Sequence, residues 1–468
     1  MPKRTLLLKL IALLCVFTLV ATACGDDDEG ADGTTDTADA SDTTDGGGTD
    51  GGTDVDLSYG GILWDNGPCD ASLTPYGIGI TTVFESAVLS LIDQVTALEV
   101  SVEQFNARGG IGSSDGVGGN CIELTTCDDE FDPNKEVECA QSMVDDESIV
   151  ATINDTTAIN PQGYVDVTLA ADLATFGVSP GQQQMAEAVT NSFPFTGGGS
   201  GTTFMMLPPC ARNGATKIGM INVDSPSIDL LIGALAGMLA GYGVEFVGNV
   251  PVPAGTTDFQ QFTLTMQGLG AECVMLPLGE NEVLQVLGAA DQLDSDLFFS
   301  TSSGSSGLKG IQELPNIRDQ IFLNGALPAA SADWSAFPAL EALVSDMATS
   351  SDPQLQVENL KESPMRSWVG LYAFIKVIED FGTPEVVTRD AVNTAIRAAT
   401  NVDMLGLVPD WTPDLDAGGA GGPFARISNP WYFVWKYDEA ADNFVTEDLQ
   451  LNMLFELGGV VEYPGPGE

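Results

Sequence analysis

"IELTTCDDEFDPNKEVECAQSMVDDESIVATIND" (122–155) holds the plan of the fold in one stretch. Two short apolar runs, 121–129 and 149–155, flank a segment that opens on Asp132-Pro133. Proline suits the first helical position, and an aspartate before it can accept the free N–H groups of the first turn. Val137, Ala140 and Val144 then recur at steps of three and four, which places them on one helical face. A helix between two strands is the connection that lets the strands run parallel. The stretch therefore predicts a parallel sheet with helices packed over it.

The same alternation extends in both directions. Upstream, "GGILWDN" (60–66) reads as a first strand, and downstream "LATFGVS" (173–179) reads as a fourth. A second series follows at 217–224, 245–252, 273–278, 297–303 and 321–327, with a final aromatic strand, "WYFVWKY", at 431–437. Short, nearly continuous apolar strands between helices are the pattern of sheets buried on both faces. Between the strands, Ser90 with Asp93 opens a helix whose apolar face is Ile92, Val95, Leu98, Val102 and Phe105; the pair is close to a capping box. Ser227 opens a single helix over 228–243, Asn281 opens another, and Ser363-Pro364 opens a long one through 382. The fold class is α/β, with two β/α runs in series. In such sheets ligands bind at the carboxyl ends of the strands.

The N-terminus is of a different kind. Lys3, Arg4 and Lys9 precede an apolar run that ends at small residues, the order of a secretory signal over 1–23. The apolar run is short for a membrane span, which needs about 20 residues. "LVATAC" resembles the bacterial lipobox, in which the cysteine, here Cys24, is lipidated and becomes the mature N-terminus. Residues 25–56 are nearly all Gly, Asp, Thr, Ala and Ser, with twelve acidic and no basic residues. Such a chain cannot offset its ordering entropy. The segment 24–56 thus reads as a lipidated tether of roughly 30 Å reach. Loss of the signal takes the formal charge from −51 to −54. That field disfavours nucleic acid as a partner.

The body holds six cysteines, Cys69, Cys121, Cys127, Cys139, Cys210 and Cys273. An even number outside the cytoplasm suggests three disulfides. Spacing does not fix the pairing. Cys127–Cys139 closes a short loop, and Cys69–Cys121 with Cys210–Cys273 are then the remaining non-crossing pairs. Zinc needs C-x-x-C spacings or histidines; the chain has neither. "GSSDG" (112–116) matches the nucleophile-elbow pattern, but without histidine no conventional triad can form, and a turn is the better reading. No catalytic residue, metal or cofactor is expected.

In order along the chain, "GGILWDNGP", "FNARGGIG", the 122–155 stretch, "FGVSPG", "KIGMINVD" and "DFQQFTLTMQGLGAECVML" closely resemble the substrate-binding proteins of ABC transporters. The likeness is to the type I periplasmic fold, branched-chain amino acid (Leu/Ile/Val) class. The resemblance implies two Rossmann-like lobes joined by a hinge with several crossovers, lobe I at 57–195 plus 328–425 and lobe II at 196–327 plus 426–468. It also implies a small solute captured between the lobes, a membrane permease that receives it, and a monomer held outside the cytoplasm. By position, the implied ligand contacts are Asn66 after the first strand, Asp155, Thr156 and Thr157 after the third, and Gln182 and Gln183 after the fourth. In lobe II they are Asp224, Ser225, Ser227, Glu280 and Ser303. Hydroxyls and helix starts favour anions, while a carboxylate such as Glu280 would pair an ammonium. Asp155, Asp224, Thr156 and Ser227 have alternative roles as loop-binding carboxylates or helix caps, and Trp64 as core. The position where amino-acid binders carry an acidic residue reads Ser303 here. A solute-sensing receptor subunit of the same fold, an extracytoplasmic enzyme and an adhesin are the other classes open to this sequence.

Overall fold

The computed structural model describes residues 57–462, apart from 87–88, 178, 180, 225–227, 254, 305–307 and 416–423. The signal 1–23, Cys24 and the tether lie outside the described residues.

Two sheets form the body. The first has order β2-β1-β3-β4-β5, all parallel. Its strands are β1 (Tyr76–Thr82), β2 (Ile122–Asp128), β3 (Ile149–Ile153), β4 (Ala174–Phe176) and β5 (Ser192–Phe193). Helices α1 (Ile92–Ala107), α2 (Pro133–Asp145) and α3 (Pro161–Ala170) make the crossovers between them. The second sheet has order β12-β11-β10-β9-β8-β6-β7. It comprises β6 (Lys217–Val223), β7 (Glu245–Val252), β8 (Cys273–Met275), β9 (Phe298–Ser302), β10 (Ile321–Gly325), β11 (Trp431–Asp438) and β12 (Asn443–Asn452). Strands β6 to β10 run parallel, and β11 and β12 add an antiparallel edge. Around it lie α4 (Gly198–Met205), α5 (Leu207–Arg212), α6 (Ile228–Ala234), α7 (Ala236–Tyr242), α8 (Gln260–Leu269), α9 (Glu280–Gln292) and α10 (Leu308–Gln312). After β10 the chain returns to the first sheet with α11 (Ala339–Met347), α12 (Glu362–Phe381) and α13 (Arg389–Ala398), then comes back for β11, β12 and α14 (Met453–Leu457). Three crossovers therefore join the two sheet bodies.

Most predicted elements are present, with local corrections. Residues 57–63 form turns rather than a first strand. Tyr59, Gly60 and Gly61 all have positive φ, which no strand can carry. The apolar run there serves the core instead: Leu63 is buried, and Trp64 packs on Phe105 and Tyr372. The true β1 is "YGIGITT", paired between β2 and β3, a run absent from the strands read in the sequence. Its glycines fit because other parts of the chain lie close against it: a Cβ at Gly77 would clash with Ser148 O, just before β3. A Cβ at Gly79 would stand 2.6 Å from Met143 Sδ. The 228–243 helix is two, α6 and α7. In α2 the buried face is Glu136, Cys139, Ala140 and Met143, with Val137 and Val144 only half-buried; the Cys139 disulfide and the sheet set that rotation. The cap of α2 is as read, with Asp132 accepting from Asn134 N at 2.7 Å. That of α1 is not: Leu91 stands at the N-cap, and Ser90 donates instead to Phe84 O.

Helix α12 is the keystone of the first body, with sixteen of its twenty residues buried. An all-round buried helix must pack on several elements, and α12 lies along α1, α13 and β3. Phe105, Trp368, Tyr372 and Trp64 form its aromatic contact with α1. Each fully buried large apolar side chain there contributes about 1.5–3 kcal/mol. The same interface buries an ion pair, Arg108 to Asp346 at 2.5 Å, with Tyr59 and Trp368 also donating to Asp346. The disulfides are Cys69–Cys121, Cys127–Cys139 and Cys210–Cys273, the set expected from the sequence. "GSSDG" is a turn, closed by the Ser114–Val117 bridge.

Candidate functional site

The carboxyl ends of both sheets meet at one cleft. From the first body come the loop after β1 and the first turn of α1, with Ser86, Ser90 and Asp93. From the second come Glu280 and Asn281, which start α9 after β8, and Gly304 after β9. Gln354 and Lys361, on the returning crossover that leads into α12, close one side. Together they line a cavity of about 280 Å³, just under the roughly 300 Å³ at which small-molecule sites begin.

Its electrostatic centre is Lys361. The ammonium sits 2.8 Å from Asp93 Oδ2 and 3.0 Å from Glu280 Oε2. The lysine side chain is 7% exposed, Asp93 5% and Glu280 35%. Burial by itself would weaken the proton on Lys361, but the charges of Asp93 and Glu280 outweigh it and hold the pKa above the ordinary lysine value. One lysine thus bridges α1 of the first body and α9 of the second.

A polar layer behind the cleft fixes these groups. Gln94, next to Asp93, donates to Asn154 O. Asn154 Nδ2 donates to Ser367 Oγ at 2.9 Å, and Ser367 Oγ donates to Gln94 O at 2.8 Å. This ring locks the start of α1, the end of β3 and α12 together. Ser303 Oγ lies within hydrogen-bond distance of Asn324 O (2.9 Å) and Glu362 Oε2 (3.0 Å). Asp155 lies deeper still and is fully buried. It accepts from Thr81 N (2.7 Å), Tyr164 OH (2.8 Å) and Thr152 Oγ1. Burial raises its pKa to about 6, against the lowering effect of those three donors. Glu136 is also raised, first by burial and then by the charges of Asp129 and Asp155, despite the N–H groups of Ile159 and Asn160. Asp129 is raised by burial and by Asp128.

The residues singled out from sequence separate into groups. Glu280 lies on the cleft and already holds an ammonium, that of Lys361. Thr156 Oγ1 accepts from Gln94 Nε2 at 3.3 Å, one layer behind it. Thr156 caps no helix: α3 is capped by Asn160, whose side chain accepts from Gly163 N. Thr157 Oγ1 donates to Gln184 Oε1 at 2.9 Å, in the interior. Gln183, in the 3-10 turn Gln182–Met185, and Asp224, directly after β6, are exposed. Ser225, Ser227 and the side chain of Gln182 lie outside the described residues. Asn66 must be corrected. Its placement followed from a first strand at 60–66, which is a turn. It stands beside the last turn of α1, with its N–H on Arg108 O and its amide on Ser113 Oγ, at the far end of α1 from the cleft.

Sequence reading missed Lys361, Asp93 and Gln354 as site residues. One signal was available. A lysine just before a long helix stands where a cation is disfavoured by the helix dipole, in a chain with 16 basic and 67 acidic residues.

The comparisons agree with this architecture. A family model described as "Periplasmic binding protein" matches residues 76–435. A fatty acid ABC transporter substrate-binding protein from Thermomonospora curvata is similar in structure, with 15% identity, TM-score 0.65, and coverage of 84% of this chain and 96% of that one. An ABC transporter solute-binding protein from R. palustris, in complex with 4-hydroxybenzoate, is similar at 14% identity and TM-score 0.61, over 81% of this chain and 97% of that one. A possible leucine/isoleucine/valine-binding protein from Rhodopirellula baltica gives 15% identity and TM-score 0.62, over 81% and 98%. No curated protein matches the sequence.

Proposed function

The chain belongs to the periplasmic binding protein family, and on that premise we propose that it captures a small polar solute between its lobes and delivers it to an ABC permease. The observation that carries this is the cleft itself. It is lined from the carboxyl ends of strands in both sheets and from a crossover between them, which is where closure about a hinge would enclose a ligand. The lobes are 57–195 plus 328–425 and 196–327 plus 426–468. The packing of α11, α12 and α13 on the first body supports that division. Among the residues named by the resemblance, Glu280 is assigned as the solute contact on the cleft wall, with Thr156 and Ser303 as supports behind it and Thr157 held in its interior bond to Gln184; Gln182, Gln183, Asp224, Ser225 and Ser227 stay assigned by the resemblance alone. Asp155 is assigned to holding the loop after β3. The protein is proposed to act as a monomer, without catalysis, outside the cytoplasm. Lipidation of Cys24 would anchor it, and the acidic tether would let the body swing between capture and delivery.

Thermal unfolding against a panel of amino acids, amides, ureas and carboxylic acids tests the reading, with native mass spectrometry for co-purified solute. A solute at 100 times its Kd stabilises the native state by about 2.7 kcal/mol. A selective shift with one chemical class is the expected result. A flat panel together with no co-purified solute would overturn it.

A further inference from the structure

The cleft carries its own ammonium. Asp93 and Glu280 come from opposite bodies and converge on one point. Two carboxylates so placed are what a solute's ammonium would seek. In this chain Lys361 Nζ fills that point, 2.8 and 3.0 Å from the two oxygens, with a side chain only 7% exposed. A second ammonium brought to the same oxygens would meet the charge of the first. We infer that Lys361 is a specificity-determining residue of the cleft: it occupies the ammonium position between Asp93 and Glu280, so the cleft takes solutes that lack an ammonium group. This rests on the solute-binding reading above.

The charge count narrows the class further. Two carboxylates and one ammonium leave the lining at −1, so a carboxylate solute meets net repulsion as well. A lysine has three donors; Lys361 donates to Glu280 Oε2 and pairs by charge with Asp93 Oδ2, which leaves N–H capacity for a solute oxygen. The amides of Asn281 and Gln354 add donors and acceptors on the same walls. The complementary ligand is uncharged and presents an acceptor beside a donor, as primary amides, ureas and polyols do. α-Amino acids are excluded by their ammonium, whatever their side chain.

The test removes the lysine and supplies the ammonium from solution. In full-length K361A, methylammonium should bind at least tenfold more tightly than in the wild type, measured by calorimetry at constant ionic strength. K361M fills the space with an apolar stem and should show no such gain. Equal methylammonium affinity in K361A and wild type would overturn the inference, as would an equal gain in K361M. Should K361A not fold in buffer, its refolding yield is compared in methylammonium chloride and in sodium chloride. A higher yield with the amine supports the inference, and equal yields overturn it. On the wild type, leucine should shift the melting temperature no more than 4-methylpentanamide, its deaminated amide. A leucine-specific shift overturns the inference. If no solute at all stabilises the wild type while the methylammonium gain in K361A stands, the solute-binding reading fails and the ammonium position does not.

Discussion

Asp155 gives the most direct test of the buried polar layer. Its carboxyl is fully buried and its pKa is raised to about 6 from 3.8. The native state therefore holds this proton more tightly than the unfolded chain. The sign follows: the stabilisation is fully present below the unfolded value and is lost as pH rises through about 6. At pH 5 the native carboxyl is about ten parts protonated to one ionised, and the unfolded one is almost wholly ionised. That ratio is worth about 1.4 kcal/mol of stability relative to pH 8. Asp155→Asn removes the titration and keeps an acceptor for Thr81 N. The Thr152 and Tyr164 hydroxyls can turn to accept from the new amide. Urea unfolding of both proteins at pH 5 and pH 8 gives the comparison. Wild type should gain on acidification relative to the variant by about 1.4 kcal/mol. Glu136 and Asp129 are raised in the same direction and give both proteins a background slope; the part of the Glu136 shift that comes from the Asp155 charge is lost in the variant together with Asp155's own titration, so it adds to the expected difference. A variant that kept the whole wild-type pH dependence would refute the reasoning, because the proton would then reside elsewhere.

Three other outcomes follow from the same geometry. Asp346→Ala leaves Arg108 buried without its carboxylate and strands the Tyr59 and Trp368 donors; a loss of about 3–5 kcal/mol is expected in denaturant unfolding. Replacing Cys127 and Cys139 by serine releases a loop with a sequence separation of 12, for which the chain-entropy account gives a loss of roughly 3 kcal/mol, measured against wild type under non-reducing conditions. Gly79→Val forces a side chain into Met143, and several degrees of lost melting temperature are expected in thermal unfolding; unchanged stability would show that Met143 and α2 have room to move.

Glu280 and Lys361 show how the site divides between sequence and fold. Glu280 follows an apolar strand and starts a helix, so its place at a strand end is legible from local pattern. Its partner is 81 residues away and joins it only through the crossover that returns to the first body. No local signal pairs them. Asn66 is the converse case. One apolar run taken as a strand moved a candidate contact to the wrong end of α1, because apolarity alone does not distinguish a strand from a core-packed turn. Strand β12 went unread for a related reason: "NFVTEDLQLN" is an edge strand whose polar residues interrupt its apolar ones, so no apolar run reveals it.

The sequence by itself determined the alternation of strands and helices, the parallel sheets and the Asp132 cap. Each of these depends on residues a few positions apart, where spacing, capping and apolar period act directly. Only the tertiary structure decided which body each returning helix joins, why "YGIGITT" is a strand paired on both sides, and that Lys361 lies between two carboxylates from opposite bodies. Those facts depend on contacts between residues far apart in the chain, whose energies arise only after the sheets have closed and water has left the space between them.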